Sequence, residues 1–157
     1  MNSDNPRPPA RIAGHPITHI LVSFPIAFFS GALATDIAYA QTADMIWADF
    51  SAWLLAAAMF TGGLAALAGI VDVIANRRVR ARRSVWPLAI GSLLVLILGL
   101  FDNLVHSRDA WTSIVPVGLA LSAAIVIIVL ITAWLGFSTV TVDRPDAAEA
   151  YSEGVRQ

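Results

Sequence analysis

Four apolar runs, each close to the length of a bilayer crossing, constrain this chain more than any other feature. They are Ile20–Ala40, about Ser51–Ala75, Pro87–Val105 and about Ile114–Gly136. A hydrocarbon core of about 30 Å is spanned by roughly 20 helical residues. Lipid offers the backbone no hydrogen-bond partners, so runs of this kind are helices. Apolar residues make up 57% of the chain and charged residues 13%. Soluble domains hold roughly 45–50% and about 25%, and the apolar surplus here needs lipid to cover it. The expected fold is all-α: an integral membrane four-helix bundle of up-down topology over residues 15–137. A flexible N-terminal arm (1–14, with three prolines) precedes it, and a polar tail (138–157) follows.

Proline positions agree with these boundaries. Pro16 and Pro87 sit where a first-turn proline is tolerated, and Pro116 lies near the start of the fourth helix. Pro25 lies inside the first helix, removes one backbone bond and predicts a kink. Ala38-Tyr39-Ala40 resembles a signal-peptidase site. The run before it is long for a signal peptide and contains Asp36, which favours a spanning helix.

Arginine sets the expected orientation. Arg77, Arg78, Arg80, Arg82 and Arg83 crowd the second loop, whereas Gln41–Phe50 has no basic residue and His106–Ser113 has only Arg108. Short arginine-rich loops stay in the cytoplasm, which places both termini there as well. Arg7 and Arg11 agree. Trp47, Trp53 and Trp111 then fall at the outer boundary, and Trp86 and Trp134 at the inner one, as an aromatic belt requires. The arginine cluster also suits contact with anionic lipid head groups.

Composition removes several chemistries. The chain has no cysteine and no lysine, and its net charge is −1. Disulfides, thiolate metal sites, Schiff bases and a phosphate-loop lysine are excluded, and no bulk field recruits nucleic acid. No nucleophile elbow or zinc-protease motif occurs. Ser, His and Asp are all present, but no spacing brings them together as a triad. No enzyme activity is therefore expected.

Small residues mark packing. Ala58, Gly62, Ala66 and Gly69 on the second helix, and Gly31 and Thr35 on the first, let backbones approach closely. Gly62 and Gly69 are expected to face a neighbouring helix, within the bundle rather than in a homodimer.

Ionisable groups inside spans are costly, so each is a candidate site. On the inner side His15, His19 and Ser23 are spaced four apart and share one helix face. Asp72 and Asn76 end the second helix at similar depth. A carboxylate beside a histidine holds its tautomer, so a His19–Asp72 pair is the leading candidate. On the outer side lie Asp36, Asp102, Asn103 and His106. Asp36 is sixteen residues above Ile20 and Asp102 fifteen above Pro87. Both thus stand roughly 22–24 Å up their helices. They are expected to be solvated carboxylates just below the outer head groups. The middle of each helix holds no charge, which argues against an ion path.

The segment Ala13-Gly14-His15-Pro16-Ile17-Thr18-His19-Ile20-Leu21-Val22-Ser23-Phe24-Pro25-Ile26-Ala27, with Asp36 beyond it, resembles a bacterial membrane family known as domain of unknown function 2231. Its members typically read Gly-His-Pro-x-His-Pro, a short apolar step, Phe-Pro-Ile, and an Asp about ten residues on. Gly69-Ile70-Val71-Asp72 is similar to that family's Gly-x-x-Asp. The resemblance covers roughly residues 13–136 and implies a fold, since the family has no established activity. The chain departs from the pattern in three places. The second His-Pro is displaced to Thr18-His19, and Leu88 and Ser92 stand where relatives carry a histidine and an asparagine. Phe137-Ser138-Thr139 replaces a His-Gly-bearing tail. If the relatives' histidines hold a cofactor, this chain has lost several of them.

The expected role is a non-catalytic accessory or scaffold subunit of the bacterial inner membrane. Its expected partners are membrane lipid and either a second copy or a larger membrane complex, without nucleic acid, metal or cofactor. The first alternative is a b-type haem or metal protein using His15 or His19. The second is a small-molecule or proton conduit.

Overall fold

The computed structural model describes residues 11–12, 15–75, 85–107 and 114–142, with side chains over 20–75, 85–107 and 114–136. A two-residue antiparallel pairing of Arg11–Ile12 with His15–Pro16 leads into the first helix. The helices are α1 (Ile17–Thr42), α2 (Met45–Ala75), α3 (Val85–His106) and α4 (Leu119–Val142), the last entered through a kinked segment at Ile114–Gly118 in which Val115 is extended and the Val115–Pro116 bond is cis. All four are long and apolar enough to cross a membrane. The Arg77–Arg83 loop, Asn76, Trp111, residues 1–10 and residues 143–157 lie outside the described residues.

The α1–α2 connection is shorter than the loop expected at Gln41–Phe50. Ala43 turns the chain with a φ of 54° and donates its N–H to Tyr39 at 2.8 Å, which ends α1. Asp44 then caps α2, its Oδ1 accepting from the Ile46 N–H at 3.1 Å. Met45–Phe50 are therefore helical, because the cap satisfies the first free N–H groups of a run whose apolar stretch begins later. At 31 residues, α2 is about 46 Å long, longer than the hydrocarbon core it would cross. α1 runs through Pro25 as one helix to Thr42.

One core joins the helices: Phe29 and Ala32 of α1, Leu55 and Ala58 of α2, Val95 of α3, and Ile125 and Val129 of α4. Around it the surface is apolar, with Trp53, Phe60, Ile74, Trp86 and Trp134 all exposed. In water such a surface is a liability; in lipid it is solvated, and packing must come from close backbone approach and polar contacts between helices. Gly62 and Gly99 supply close approach. A Cβ on Gly62 would lie 3.3 Å from Leu96 of α3 and 3.7 Å from Pro25 of α1. A Cβ on Gly99 would lie 2.8 Å from Met59 Sδ and 3.0 Å from the Phe29 ring. Gly69 corrects an expectation: a Cβ there meets nothing within 4 Å. It lies three residues beyond Ala66 rather than four, which rotates it off the packed stripe.

A polar tie links α1 to α2. Thr35 Oγ1 and Ser51 Oγ are 2.6 Å apart, and Ser51, fully buried, also lies 3.3 Å from the Ala32 carbonyl.

Candidate functional site

The polar residues nearest the α1–α2 turn end of the bundle converge. Asp102 and His106 are four apart on α3 and therefore share a face. The ring of His106 spans two helices: Nδ1 lies 3.0 Å from the main-chain oxygen of Asp102, and Nε2 lies 3.0 Å from Asp36 Oδ1 on α1. Ser122 on α4 completes a quartet, its Oγ standing 2.5 Å from Asp36 Oδ2 and 2.8 Å from Asp102 Oδ2. Three helices are tied in this way at one level.

The quartet is closed. Asp36 and Asp102 are both 0% exposed, and the His106 side chain is 1% exposed. This overturns the expectation that the two carboxylates are solvated below the outer head groups. The matching heights of Asp36 and Asp102 put them opposite each other across the bundle interior, where Ser122 and His106 offer the hydrogen bonds that water would otherwise supply. Asn103, grouped with them in sequence, is half-buried and stands outside the quartet. One atom has no hydrogen bond: Asp102 Oδ1 is buried and lies 3.2 Å from His106 Nδ1. The nearby main-chain oxygen of Asp102, at 3.0 Å, takes that donor instead.

Ser, His and Asp side chains, for which the sequence spacing predicts no triad, nevertheless meet here. The order of contacts is His–Asp–Ser. In a nucleophilic triad the imidazole touches the hydroxyl and takes its proton. Here the imidazole and the hydroxyl both contact Asp36, so the groups facing Ser122 Oγ are carboxyl groups and not the imidazole.

At the opposite end the expected inner set is described only in part. Ser23 is exposed and donates to the Ile20 carbonyl of its own helix at 2.7 Å. Asp72 is half-buried and has a partner. The side chains of His15 and His19, and all of Asn76, lie outside the described residues, and so does the expected His19–Asp72 pair. Among the described residues no group of three His, Asp or Glu side chains is arranged to hold a metal ion. In the quartet both ring nitrogens of His106 face oxygens at 3.0 Å.

The quartet sits within a longer match. Residues 14–146, well over half of the chain, match the model of a family described as predicted membrane protein (DUF2231). The chain belongs to that family. The matched span covers all four helices and every quartet residue, so the quartet lies inside the DUF2231 region and not in an appendage. No curated protein and no solved structure matches this chain. In this DUF2231 protein, sequence reasoning missed Ser122 and Gly118. Ser122 left a signal: it is one of only two Ser or Thr residues in Ile114–Gly136, and a polar group in an apolar span needs a partner. Gly118 left none. A Cβ there would lie 3.0 Å from His106 Cε1, so its missing side chain is what makes room for the ring.

Proposed function

We propose that this chain is a non-catalytic integral protein of the bacterial inner membrane, an accessory or scaffold subunit whose α1, α3 and α4 are clasped by the Asp36–His106–Asp102–Ser122 quartet. The observation that carries this reading is the closure of the quartet. Its groups spend nearly all their hydrogen-bonding capacity on one another, and its serine is enclosed by carboxyl groups and faces no open pocket. A site built in this way holds a shape. A site for turnover would aim a free nucleophile or acid at an open pocket.

The reading includes an up-down bundle. It is supported by contacts that run in opposite directions along neighbouring helices: Gly31 lies beside Leu54 and the earlier Pro25 beside the later Gly62, and likewise Gly91 lies beside Thr132 and the earlier Leu88 beside the later Gly136. Both termini and Arg77–Arg83 are assigned to the cytoplasm, by the arginine asymmetry of the loops. Lipid covers exposed residues such as Phe60, Ile74 and Trp134, and the partner is a second copy or a larger membrane complex.

The test uses the full chain purified in mild detergent. The expected result is a colourless, metal-free protein that migrates in native gels above a single 16.7 kDa chain. A Soret band or stoichiometric metal lost in His19→Ala would overturn the reading in favour of a cofactor protein. Proton flux into vesicles that Asp36→Asn abolishes would overturn it in favour of a conduit.

A further inference from the structure

The hydrogen-bond geometry of the quartet places its protons. Ser122 Oγ faces two carboxyl oxygens, Asp36 Oδ2 at 2.5 Å and Asp102 Oδ2 at 2.8 Å, yet a hydroxyl has one hydrogen to give. The second contact therefore needs a hydrogen that belongs to a carboxyl group, because two oxygens approach this closely only across a hydrogen. His106 follows the same count. Nδ1 faces a main-chain oxygen, which can only accept, so it carries hydrogen, and a second hydrogen lies between Nε2 and Asp36 Oδ1; with that hydrogen on the more basic nitrogen the ring is an imidazolium.

Geometry also says which carboxyl holds the extra hydrogen. Both oxygens of Asp36 receive hydrogen bonds, Oδ1 from His106 and Oδ2 from Ser122. That is the setting of a carboxylate, with the imidazolium as its counter-ion. Asp102 Oδ1 is buried and receives none, because its nearest donor, His106 Nδ1 at 3.2 Å, gives its hydrogen to the main-chain oxygen of Asp102 at 3.0 Å. An ionised oxygen left without a donor in a dry site is far costlier than the carbonyl oxygen of a neutral acid.

We infer that the quartet is a proton-binding site, its ligand a single proton held on Asp102 Oδ2. The hydrogen bonds then run in one consistent order. Asp102 donates to Ser122, Ser122 donates to Asp36, and the imidazolium donates through Nε2 to Asp36 and through Nδ1 to the Asp102 carbonyl. No atom donates twice, and one cation faces one anion, so the site is neutral as a whole. Among the described residues no other acidic or basic side chain is fully buried, and Asp72 of α2 is half-buried. α1 contributes Asp36, α3 contributes Asp102 and His106, and α4 contributes Ser122, while Asp44 and Asp49 near the start of α2 are exposed. Removing the proton leaves two carboxylates competing for one serine hydrogen, and α4 must then release either α1 or α3. The inference goes beyond the scaffold reading and does not rest on it, because a conduit with the same geometry would hold the same proton.

Infrared spectroscopy of the purified full-length protein tests it. The wild type is expected to show the carbonyl stretch of an un-ionised carboxyl group, displaced on transfer to D2O. Asp102→Asn should abolish that band while unfolding close to the wild-type temperature, since the amide N–H donates to Ser122 in place of the acid. Asp72→Asn should leave the band unchanged. A wild type without the band overturns the inference with no variant needed, and so does a band that survives in Asp102→Asn. Ser122→Ala removes the acceptor and should move the band to higher frequency; an unmoved band would also overturn it.

Discussion

His106 is held by Asp36 across the bundle, by its own helix through Asp102, and by the space that Gly118 leaves beside its ring. Each hold predicts a different loss. Gly118→Ala puts a methyl group where the ring is, and overpacking of this kind costs about 1–3 kcal/mol. His106→Ala leaves Asp36 buried without a counter-ion, and removing one partner of a buried pair costs about 3–5 kcal/mol. Thermal unfolding in one detergent should therefore rank wild type above Gly118→Ala and Gly118→Ala above His106→Ala; a variant His106→Ala as stable as Gly118→Ala would mean that the imidazole is not the tie. Three of the four quartet residues were visible in sequence, because a charged residue within an apolar run stands out and its height follows from the helical rise. Their burial was not visible. Depth along a helix is readable from residue number, but which side faces the interior depends on how the helices are rotated against each other. Ser122 has no charge to announce it, and only the carboxylates opposite make it part of a site.

Between helices, small residues and hydroxyls do the joining. Gly62 and Gly99 meet side chains of neighbouring helices, whereas Gly69 meets nothing. Gly99→Leu should lower the unfolding midpoint sharply, since Met59 and Phe29 already crowd the position. Gly69→Leu should leave the midpoint nearly unchanged. Equal effects at the two positions would show that helix propensity, and not packing, governs both. The Thr35–Ser51 contact is expected to be modest in spite of its 2.6 Å separation. Interhelical hydrogen bonds in membranes average about 0.6 kcal/mol. A double-mutant cycle of Thr35→Ala with Ser51→Ala should return a coupling of about that size, and zero coupling would mean both hydroxyls are satisfied by main-chain oxygens of α1 instead of by each other. The four-residue spacing of Ala58, Gly62 and Ala66 pointed to a packed stripe, and Gly62 lies on it. Gly69 shows where the pattern stops being informative, since one residue of helical phase separates a packed face from an open one.

For the whole molecule, the apolar surface and the four long helices agree with membership of a predicted membrane protein family. Insertion direction is the prediction that belongs at this scale. A reporter active only in the cytoplasm should work when fused after Gln157 or placed within Arg77–Arg83, and should fail between Thr42 and Met45. Activity in that two-residue turn would reverse the assignment made from arginine.

The sequence alone determined the number of helices, their approximate ends, the membrane environment and the family. All of these follow from local quantities: the length of an apolar run, the capping and turn residues beside it, and a short motif. Tertiary structure alone decided that Asp36 and Asp102 are buried, that Ser122 joins them, that Gly118 admits the His106 ring and that Gly69 faces away. These depend on the rotation and spacing of helices against one another. That arrangement comes from side-chain contacts between residues up to 86 positions apart, as Ser122 is from Asp36, and no local pattern encodes it.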